Sequence, residues 1–407
     1  MNLRRVLLTL VLLLYAEAGG LSGTREGIVV ECANPLTTAR VDALVSIPLA
    51  ALRAKSVMFL DGTTVVPHQV VDGRILLVLS LGPGEKKKLS VGESGPLPAS
   101  PKRTQADLAV KVNYVLANGN YAGGRFERVR SAMTPPGHRS HNAYFKYEGP
   151  GWESELVGYR LYLDERSRCD IFGKRASGVI LHTVGVNDLV SDGKESYQSM
   201  LEWGRDIFKV GASLGIGSFA LWQDGHPVPV ESFDSAACSI TQDGPVFSAV
   251  SLVYYGWKSG GKSQDLNAQL SIAAGSRLTN VVLTSRGPSS DFCTGLAKHD
   301  GCVVLASPRS ARSGWRYVGL YGKQALTGDN LGTAVFYRQA DLVRLTEDSL
   351  SQIVVLRPRR GRLEYYFAAA WEEEPGGVRN AEEFLSFLNT TVRDLSAPVR
   401  VVIRRVK

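Results

Sequence analysis

Short runs of apolar or alternating residues, each closed by a turn signal, follow one another along most of this chain. Early examples are "VDALVSIPL" and "VMFLDGTTVVPHQVVDGRILLVLSL", in which breaks occur at Asp61-Gly62 and Asp72-Gly73. Alternation with a period of two is typical of β-strands with one buried face, and Asp-Gly pairs are typical of the turns between such strands. The pattern therefore predicts an all-β protein with few helices.

The distribution of these runs predicts two sandwich domains. Residues 25–92 are expected to form a small N-terminal β-sandwich, residues 93–105 a Pro- and Ser-rich linker, and residues 106–407 a large antiparallel sandwich. Two helices are predicted in the large domain: a short one in "GKESYQSMLEWGRDIFKVG" and an amphipathic one in "NAEEFLSFLNTTVRDLS", capped by Asn380.

The first 18 residues have the organisation of a secretory signal peptide. Arg4 and Arg5 precede an apolar run from Val6 to Tyr15, and Ala16-Glu17-Ala18 fits the small-x-small pattern of a cleavage site. The apolar run is shorter than the roughly 20 residues that span a bilayer. We expect cleavage after Ala18 and a secreted or periplasmic protein that is not attached to a membrane.

Charge and cysteine content narrow the classes of partner. Lys and Arg total 47 against 39 Asp and Glu, a net charge of +8 that is spread along the chain, so a nucleic-acid partner is not expected. A modest positive charge suits an acidic small molecule or a polyanionic glycan. The five cysteines predict scattered buried thiols, with a Cys293–Cys302 disulfide as the alternative, and no metal or cofactor motif is present.

Two glycine-rich stretches resemble phosphate-binding loops only superficially. "GWKSGGKS", Gly256 to Ser263, matches the spacing of a P-loop, but the residues after it alternate like a strand, which favours a hairpin turn. "EWGRDIFKVGASLGIGSFALW", Glu202 to Trp222, leads into an apolar run and Asp224-Gly225, which favours a strand followed by a turn. In the second stretch the glycines are expected to allow close approach of the backbone.

Three polar clusters are candidates for a functional site. An aromatic platform with charged hydrogen-bonding partners suits a sugar ring, which has an apolar face and a rim of hydroxyl groups. Each cluster also has an ordinary interpretation, as a solvated loop or as part of the core. The candidate residues are His138, Arg139, His141, Tyr144, Trp152 and Glu155 in the first cluster, Trp203, Asp206 and Lys209 in the second, and Lys298, His299 and Glu372 in the third.

Several blocks of the sequence resemble a secreted bacterial family known as domain of unknown function 4861. The resemblance rests on "WESELVGYRLYLDERSRCDIFGK", "EWGRDIFKVGASLGIG", "AGSRLT", "TGLAKHDG", "LGTAVFY" and "YYFAAAWEEEP", which occur in order. It implies a galactose-mutarotase-like supersandwich and an association with the breakdown of acidic polysaccharides. In the family pattern a histidine commonly stands where this chain has Gln198.

The leading functional hypothesis is a lyase or dehydratase that acts on uronate-containing oligosaccharides. Removal of a proton next to a carboxylate needs a cation, for which Arg139 or Lys209 is a candidate, and a base, for which His141 or Tyr144 is a candidate. His141 is preferred over His138, which follows a stiff Pro-Pro-Gly turn and is expected to be exposed.

Two other functions stay open at the level of sequence. A glycoside hydrolase would use paired carboxylates, two of Glu153, Glu155 and Asp206. A non-catalytic glycan-binding protein would present aromatic residues without a convergent base. Trp203 is expected at the ligand site rather than in the core. The other expected substrate-binding residues are Asp206, Trp152, Glu155, Lys298, His299 and Glu372.

Overall fold

The computed structural model describes residues 27–53, 57–93, 100–186, 197–286, 290–308 and 314–406. Within these ranges the chain forms 31 strands and two α-helices, and all of the paired strands are antiparallel, which confirms the predicted all-β class. The predicted signal peptide, residues 1–18, lies outside the described residues.

Two facing sheets form the N-terminal sandwich. Their inward-facing side chains, among them Val30, Phe59 and Leu77, make a separate hydrophobic core. A short helix, α1 (Leu49–Leu52), follows the second strand. The five-stranded sheet has the order β31 (Arg400–Val406), β1 (Gly27–Ala33), β7 (Lys86–Glu93), β3 (Val57–Asp61) and β4 (Thr64–Val66), and the three-stranded sheet has the order β2 (Arg40–Pro48), β6 (Arg74–Leu81) and β5 (His68–Val71).

The final strand of the described chain joins the first sheet. β31 pairs with β1 in a continuous register from Gly27 opposite Val406 to Ala33 opposite Arg400. These residues fall within the range predicted for the large domain, so the chain returns to its N-terminal sandwich after completing the large one. β31 forms one edge of that sheet, beside β1.

A nine-stranded sheet is the largest element of the second sandwich. Its apolar inner face shares the main hydrophobic core with two five-stranded sheets. Its strands, in spatial order, are β13 (Ser131–Met133), β20 (Ser235–Asp243), β21 (Phe247–Ser259), β22 (Lys262–Ala273), β23 (Leu278–Arg286), β30 (Arg362–Trp371), β27 (Leu331–Arg338), β26 (Trp315–Gly322) and β25 (Val303–Ala306).

Two five-stranded sheets cover that core from the other side. We call the first of them the site sheet, because it carries the cluster described below. The site sheet has the order β17 (Gly204–Asp206), β16 (Cys169–Lys174), β15 (Gly158–Leu161), β14 (Gly151–Ser154) and β8 (Thr104–Asp107), and the other has the order β19 (His226–Pro229), β18 (Ile216–Gln223), β24 (Phe292–Ala297), β29 (Ser351–Leu356) and β28 (Leu342–Glu347).

Smaller elements complete the domain. Helix α2 (Ala381–Ser396) packs through Phe384 and Leu388 on the outer face of the nine-stranded sheet. Two short hairpin-like pairs are β10 (Val115–Ala117) with β11 (Asn120–Ala122), and β9 (Ala109–Val112) with β12 (Arg125–Arg128), and two 3₁₀ turns span Lys146–Glu148 and Gln339–Asp341.

Several local predictions are confirmed. Asn380 caps α2 by accepting a hydrogen bond from the Glu383 N–H at 2.9 Å. "GWKSGGKS" contains the β21–β22 hairpin, whose turn is Gly260-Gly261, and Asp224-Gly225 turns β18 into β19. These features depend on local backbone conformation, so local sequence identifies them well.

Other local predictions need correction. From Tyr197 onward the predicted short helix is a series of turns that leads into β17; residues 193–196 of that stretch lie outside the described residues. Gly204 has a φ of 132° and lies against the Gly173 carbonyl group, which is incompatible with a helix. Residues 94–99 of the predicted linker also lie outside the described residues, but its last two residues, Thr104 and Gln105, begin β8.

The five cysteines do not pair with one another. All five cysteines are free, and Cys293 is buried in β24 whereas Cys302 is partly exposed. Within the described ranges, no helix has both the length and the apolar character required to cross a bilayer.

We predict that Gly204→Ala strongly destabilises the fold whereas Gly211→Ala does so only mildly. Both glycines have positive φ angles, but a Cβ at Gly204 would lie 1.9 Å from the Gly173 carbonyl oxygen, while a Cβ at Gly211 meets nothing within 4 Å. Positive-φ strain alone costs about 1–3 kcal/mol. Urea unfolding of both variants measures the difference, and equal losses would contradict the close approach of β16 and β17.

Candidate functional site

The side of the site sheet that faces away from the main core carries an unusual number of ionisable groups. On β16, Cys169 and Ile171 enter the core, whereas Asp170 and Lys174 point to the opposite side. We call that side the polar face. Its members are almost completely buried: Gln105, Asp107, Glu153, Arg160, Asp170, Lys174 and Asp206.

Burial of so much charge needs an explanation. Charged side chains are rarely buried unless they are paired, because desolvation of each ion costs several kcal/mol. Perturbed ionisable groups that gather on one surface are therefore candidates for function as well as for structure.

Arg160 is the centre of the polar face. Its Nη2 donates to Asp170 Oδ2 at 2.7 Å and to Asp206 Oδ2 at 2.6 Å. The guanidinium group also lies over the rings of Tyr162 and Tyr197 at 4.8 and 5.1 Å. One cation on β15 thus binds carboxylates on both β16 and β17 and contacts Tyr197 in the turn that precedes β17.

Asp206 has an altered proton affinity in this environment. Burial and the nearby Asp170 carboxylate raise the pKa of Asp206 to about 7, against the opposing effect of Arg160. The Tyr162 hydroxyl donates to Asp170 Oδ2 at 2.5 Å, so Asp170 is held by both Arg160 and Tyr162. Asp206 therefore gains a proton at a higher pH than an ordinary aspartate does.

The other half of the polar face is held by two lysines. Lys174 Nζ lies 2.5 Å from Glu153 Oε2, and Lys146 Nζ lies 2.8 Å from Asp107 Oδ2. Burial lowers the pKa of both lysines and raises the pKa of Glu153. These pairs are closed to solvent, and they lie beneath the segment from His141 to Glu148 described next.

The segment from His141 to Glu148 crosses the polar face in a strained conformation. Four of the twelve non-glycine residues with positive φ in the described chain lie in it: His141, Ala143, Tyr147 and Glu148, at 58°, 61°, 37° and 74°. Each such residue costs of order 1–3 kcal/mol and persists only where its surroundings impose it, which is common at functional sites.

A histidine–carboxylate pair lies at the outer end of this segment. His141 Nδ1 is 2.9 Å from Glu148 Oε1, and the His141 side chain is 77% exposed. Glu148 also contacts Arg166 Nη2 at 2.6 Å and Arg160 Nη1 at 3.6 Å. A continuous series of charged contacts therefore leads from the solvent-exposed His141 through Glu148 and Arg160 to Asp206.

The histidines of the first predicted cluster have the reverse of the expected exposures. His138 is half-buried, with its ring 5.2 Å from that of Phe145 and its Nδ1 3.1 Å from Asn142 Nδ2, and burial lowers its pKa. The expectation of an exposed His138 is therefore wrong, because the ring packs on the core after the Pro-Pro-Gly turn. His141 is nevertheless the histidine that contacts the charged series.

The neighbours of His141 have different surroundings. Tyr144 packs between Tyr121 and Phe145, and burial raises its pKa, so less of it is ionised to the phenolate that could act as a base. Arg139 is exposed and donates to the Asn118 carbonyl oxygen at 3.2 Å. Arg139 thus stays available as a surface cation near His141.

Trp152 and Glu155 have structural surroundings. The predicted ligand contact of Trp152 is wrong, because its indole is completely buried and donates to Thr279 Oγ1 at 2.8 Å. Glu155 accepts from Arg103 Nε at 2.6 Å, and Arg103 also binds Asp42 of the N-terminal sandwich. Glu155 therefore belongs to a link between the two sandwiches.

The second predicted cluster divides between two places. Asp206 is on the polar face. Trp203 is partly buried with its ring 6.1 Å from that of Phe172, which also contacts the ring of Tyr197. Lys209 instead lies beside His299, whose pKa is lowered by burial and by the Lys209 charge. The structure therefore does not bring Lys209 together with His141.

The third cluster has partners of its own. The His299 ring lies 5.3 Å from that of Phe208, Lys298 Nζ lies 3.0 Å from Glu347 Oε2, and Glu372 Oε2 accepts from the Asn330 N–H at 2.8 Å. None of these contacts involves the polar face, so the roles of these residues in binding stay predictions.

Sequence reasoning missed the residues at the centre of the site. Arg160 and Asp170 are paired across β15 and β16, and Glu148 is the last residue of the strained segment. Charged residues at alternate positions of the hairpin "GYRLYLDERSRCDIF" were the available signal. Across the described ranges, no group of three or more His, Cys, Asp or Glu side chains is arranged to hold a metal ion.

Comparison with known proteins gives one extensive match. The family model described as "Domain of unknown function (DUF4861)" matches residues 32–401. None of the curated proteins matches the chain.

Solved structures show distant similarity. An α-mannosidase from Enterococcus faecalis V583 and a glycosyl hydrolase family 38 protein from Enterococcus faecalis both have TM-scores of 0.46, at 7% and 8% identity, and each match covers 94% of this chain. The chain spans about half of their length, 46% and 48%. A putative aldose 1-epimerase from Klebsiella pneumoniae subsp. pneumoniae MGH 78578 has a TM-score of 0.34 at 9% identity, covering 62% of this chain and 85% of its own.

We predict that Asp206→Asn flattens the pH dependence of stability. Because the pKa of Asp206 is raised from 3.8 to about 7, the native state holds a proton that the unfolded state has released, so wild-type stability falls as the pH rises from about 4 to 7. Glu374, whose pKa burial also raises to about 7, leaves part of the slope in place.

Urea unfolding at several pH values tests this prediction. Asp234→Asn is the matched control, since Asp234 lies at the surface in an ion pair with Lys258. An unchanged slope in Asp206→Asn would show that Asp206 is ionised throughout this range.

Proposed function

The chain belongs to the DUF4861 family, and we propose that it is a lyase or dehydratase that works outside the cytoplasm on uronate-containing oligosaccharides. The observation that carries this proposal is the exposed pair of His141 and Glu148 above the polar face. A positioned histidine with a carboxylate partner is a common general base.

The position of Glu148 suggests which nitrogen acts. A carboxylate only accepts hydrogen bonds, so we assign the proton of the His141 ring to Nδ1, which lies 2.9 Å from Glu148 Oε1, and the lone pair to Nε2. Glu148 is itself fixed by Arg166 and Arg160. In this proposal Glu148 orients the His141 ring through Nδ1, and Nε2 stays accessible to a ligand.

The proposed reaction is a β-elimination at the uronate ring. His141 Nε2 takes the proton from the carbon next to the carboxylate, and the electron pair of that C–H bond forms a carbon–carbon double bond. The bond from the adjacent carbon to its oxygen substituent breaks, and the departing oxygen takes a proton from water. Loss of a sugar makes the reaction a lyase step, and loss of water makes it a dehydratase step.

Arg139 is the best available cation for the substrate carboxylate. It is exposed, it lies two residues before His141, and both of its hydrogen-bond acceptors, the Asn118 carbonyl oxygen and Asn120 Oδ1, are uncharged. A cation at this place stabilises the negative charge that develops on the carboxylate as the proton leaves. Lys209 is not needed for this role.

Hydrolysis by paired carboxylates receives less support. Each candidate acid is bound to a different cation: Glu153 to Lys174, Glu155 to Arg103 and Asp206 to Arg160. Glu153 and Asp206 are also buried, whereas a hydrolase needs both carboxyl groups at the scissile bond.

We predict that His141→Ala abolishes most turnover while His138→Ala leaves it nearly unchanged. A positioned base contributes about 100- to 10,000-fold to the rate. The His141 side chain is exposed, so its removal should leave the fold intact.

Pectic, ulvan and alginate oligosaccharides are suitable test substrates. Ultraviolet absorbance reports new unsaturation, and a reducing-end assay reports chain cleavage. Full activity of His141→Ala would refute the assigned base, and new reducing ends without unsaturation would favour hydrolysis.

A further inference from the structure

A small hairpin beside the candidate site exposes more apolar surface than its size explains. It consists of β10 and β11 joined by Asn118-Gly119. Three consecutive apolar side chains on it are exposed: Tyr114 at 41%, Val115 at 69% and Leu116 at 60%. A cluster of exposed apolar residues commonly marks a binding surface, and a two-stranded hairpin is only marginally stable in water by itself.

The hairpin is fixed to the segment that carries His141. The Tyr121 N–H donates to the Asn142 carbonyl oxygen at 2.8 Å, directly after His141 in the chain. The rings of Tyr114, Tyr121 and Tyr144 follow one another with centroids 4.6 and 4.9 Å apart. The exposed ring of Tyr114 is therefore held in place by packing on Tyr121, which in turn packs on Tyr144.

Positive charge lies at the tip of the same hairpin. Arg139 Nη2 contacts the Asn118 carbonyl oxygen at 3.2 Å and Asn120 Oδ1 at 3.3 Å. From Tyr114 to Asn118 the strand extends about 13 Å at roughly 3.3 Å per residue, which is longer than a single sugar ring. An apolar strip that ends at a guanidinium group suits a chain of sugar rings that carry acidic groups.

We propose that this hairpin is a binding subsite for the sugar residue next to the one that reacts, with Tyr114 and Leu116 contacting the apolar face of that sugar's ring. The ligand is accordingly an acidic oligosaccharide rather than a single uronate. This inference rests on the proposed function, because it takes Arg139 and His141 as the place where the reacting uronate binds. The apolar strip continues directly from that place.

Calorimetric binding to the His141→Ala protein tests the subsite without consumption of the ligand. The probes are tetrasaccharides of galacturonate, of mannuronate and from ulvan, together with the galacturonate monosaccharide. Tyr114→Ala should weaken tetrasaccharide binding about 3- to 10-fold, the range expected for one aromatic contact. Monosaccharide binding should not change.

Three further variants complete the test. Tyr114→Phe keeps the ring and should bind like the parent protein, and Leu116→Ser should weaken tetrasaccharide binding even if Tyr114→Ala fails to fold. Tyr255→Ala removes a tyrosine that is equally exposed, at 40%, on β21, and it should have no effect.

Several outcomes would overturn the subsite. The first is that Tyr114→Ala binds the tetrasaccharides as tightly as its parent, and the second is that Tyr255→Ala loses as much affinity as Tyr114→Ala. The third is that none of the three tetrasaccharides binds. The fourth is that Tyr114→Ala changes the oligomeric state, which would identify the hairpin as a contact between copies of the chain. If Tyr114 governs binding but the wild type makes no unsaturated product, the subsite stands and the elimination fails. If turnover depends on His141 but tetrasaccharide affinity is unchanged in Tyr114→Ala, the proposed elimination is supported and the proposed subsite is wrong.

Discussion

The ion cluster around Arg160 is the interaction on which the candidate site depends. A buried guanidinium group without partners would cost far more than a fold of this size can tolerate, so Asp170 and Asp206 must be in place when the site sheet forms. Removing one of the two carboxylates leaves the guanidinium group with fewer buried partners, whereas the complete cluster is a rigid unit. Arg160 lies on β15, Asp170 on β16 and Asp206 at the end of β17. Their ion pairs therefore also fix the order of these three strands.

The same cluster determines how the surface histidine is held. Glu148 lies between Arg160 and His141, and its backbone has a positive φ of 74° that the surrounding contacts maintain. The strain in this segment is offset by buried hydrogen bonds, among them the Tyr147 hydroxyl to Asp107 Oδ2 at 2.6 Å. A histidine whose carboxylate partner is fixed by a rigid cluster is a sound basis for proton transfer, because little reorganisation is needed when the substrate arrives.

Local sequence predicted much of the fold and little of the site. Hairpin turns and the Asn380 cap were predictable because they depend on residues a few positions apart. The partnership of Arg160 with Asp206 spans 46 positions, and β15 and β16 are buried on both faces, so alternation could not tell which side carries the core. The prediction that Trp152 contacts the ligand was wrong for a related reason. In sequence, an aromatic residue among polar neighbours gives no sign of whether its ring enters the core or the cleft.

The most direct test of the account is a crystal structure of the His141→Ala protein with a bound uronate tetrasaccharide. The account predicts that one sugar carboxylate contacts Arg139, that the carbon next to it faces the space vacated by the His141 ring, and that Glu148 keeps its contacts with Arg166 and Arg160. An oligosaccharide bound beside Lys209 and His299 instead, with the surroundings of position 141 empty, would contradict it.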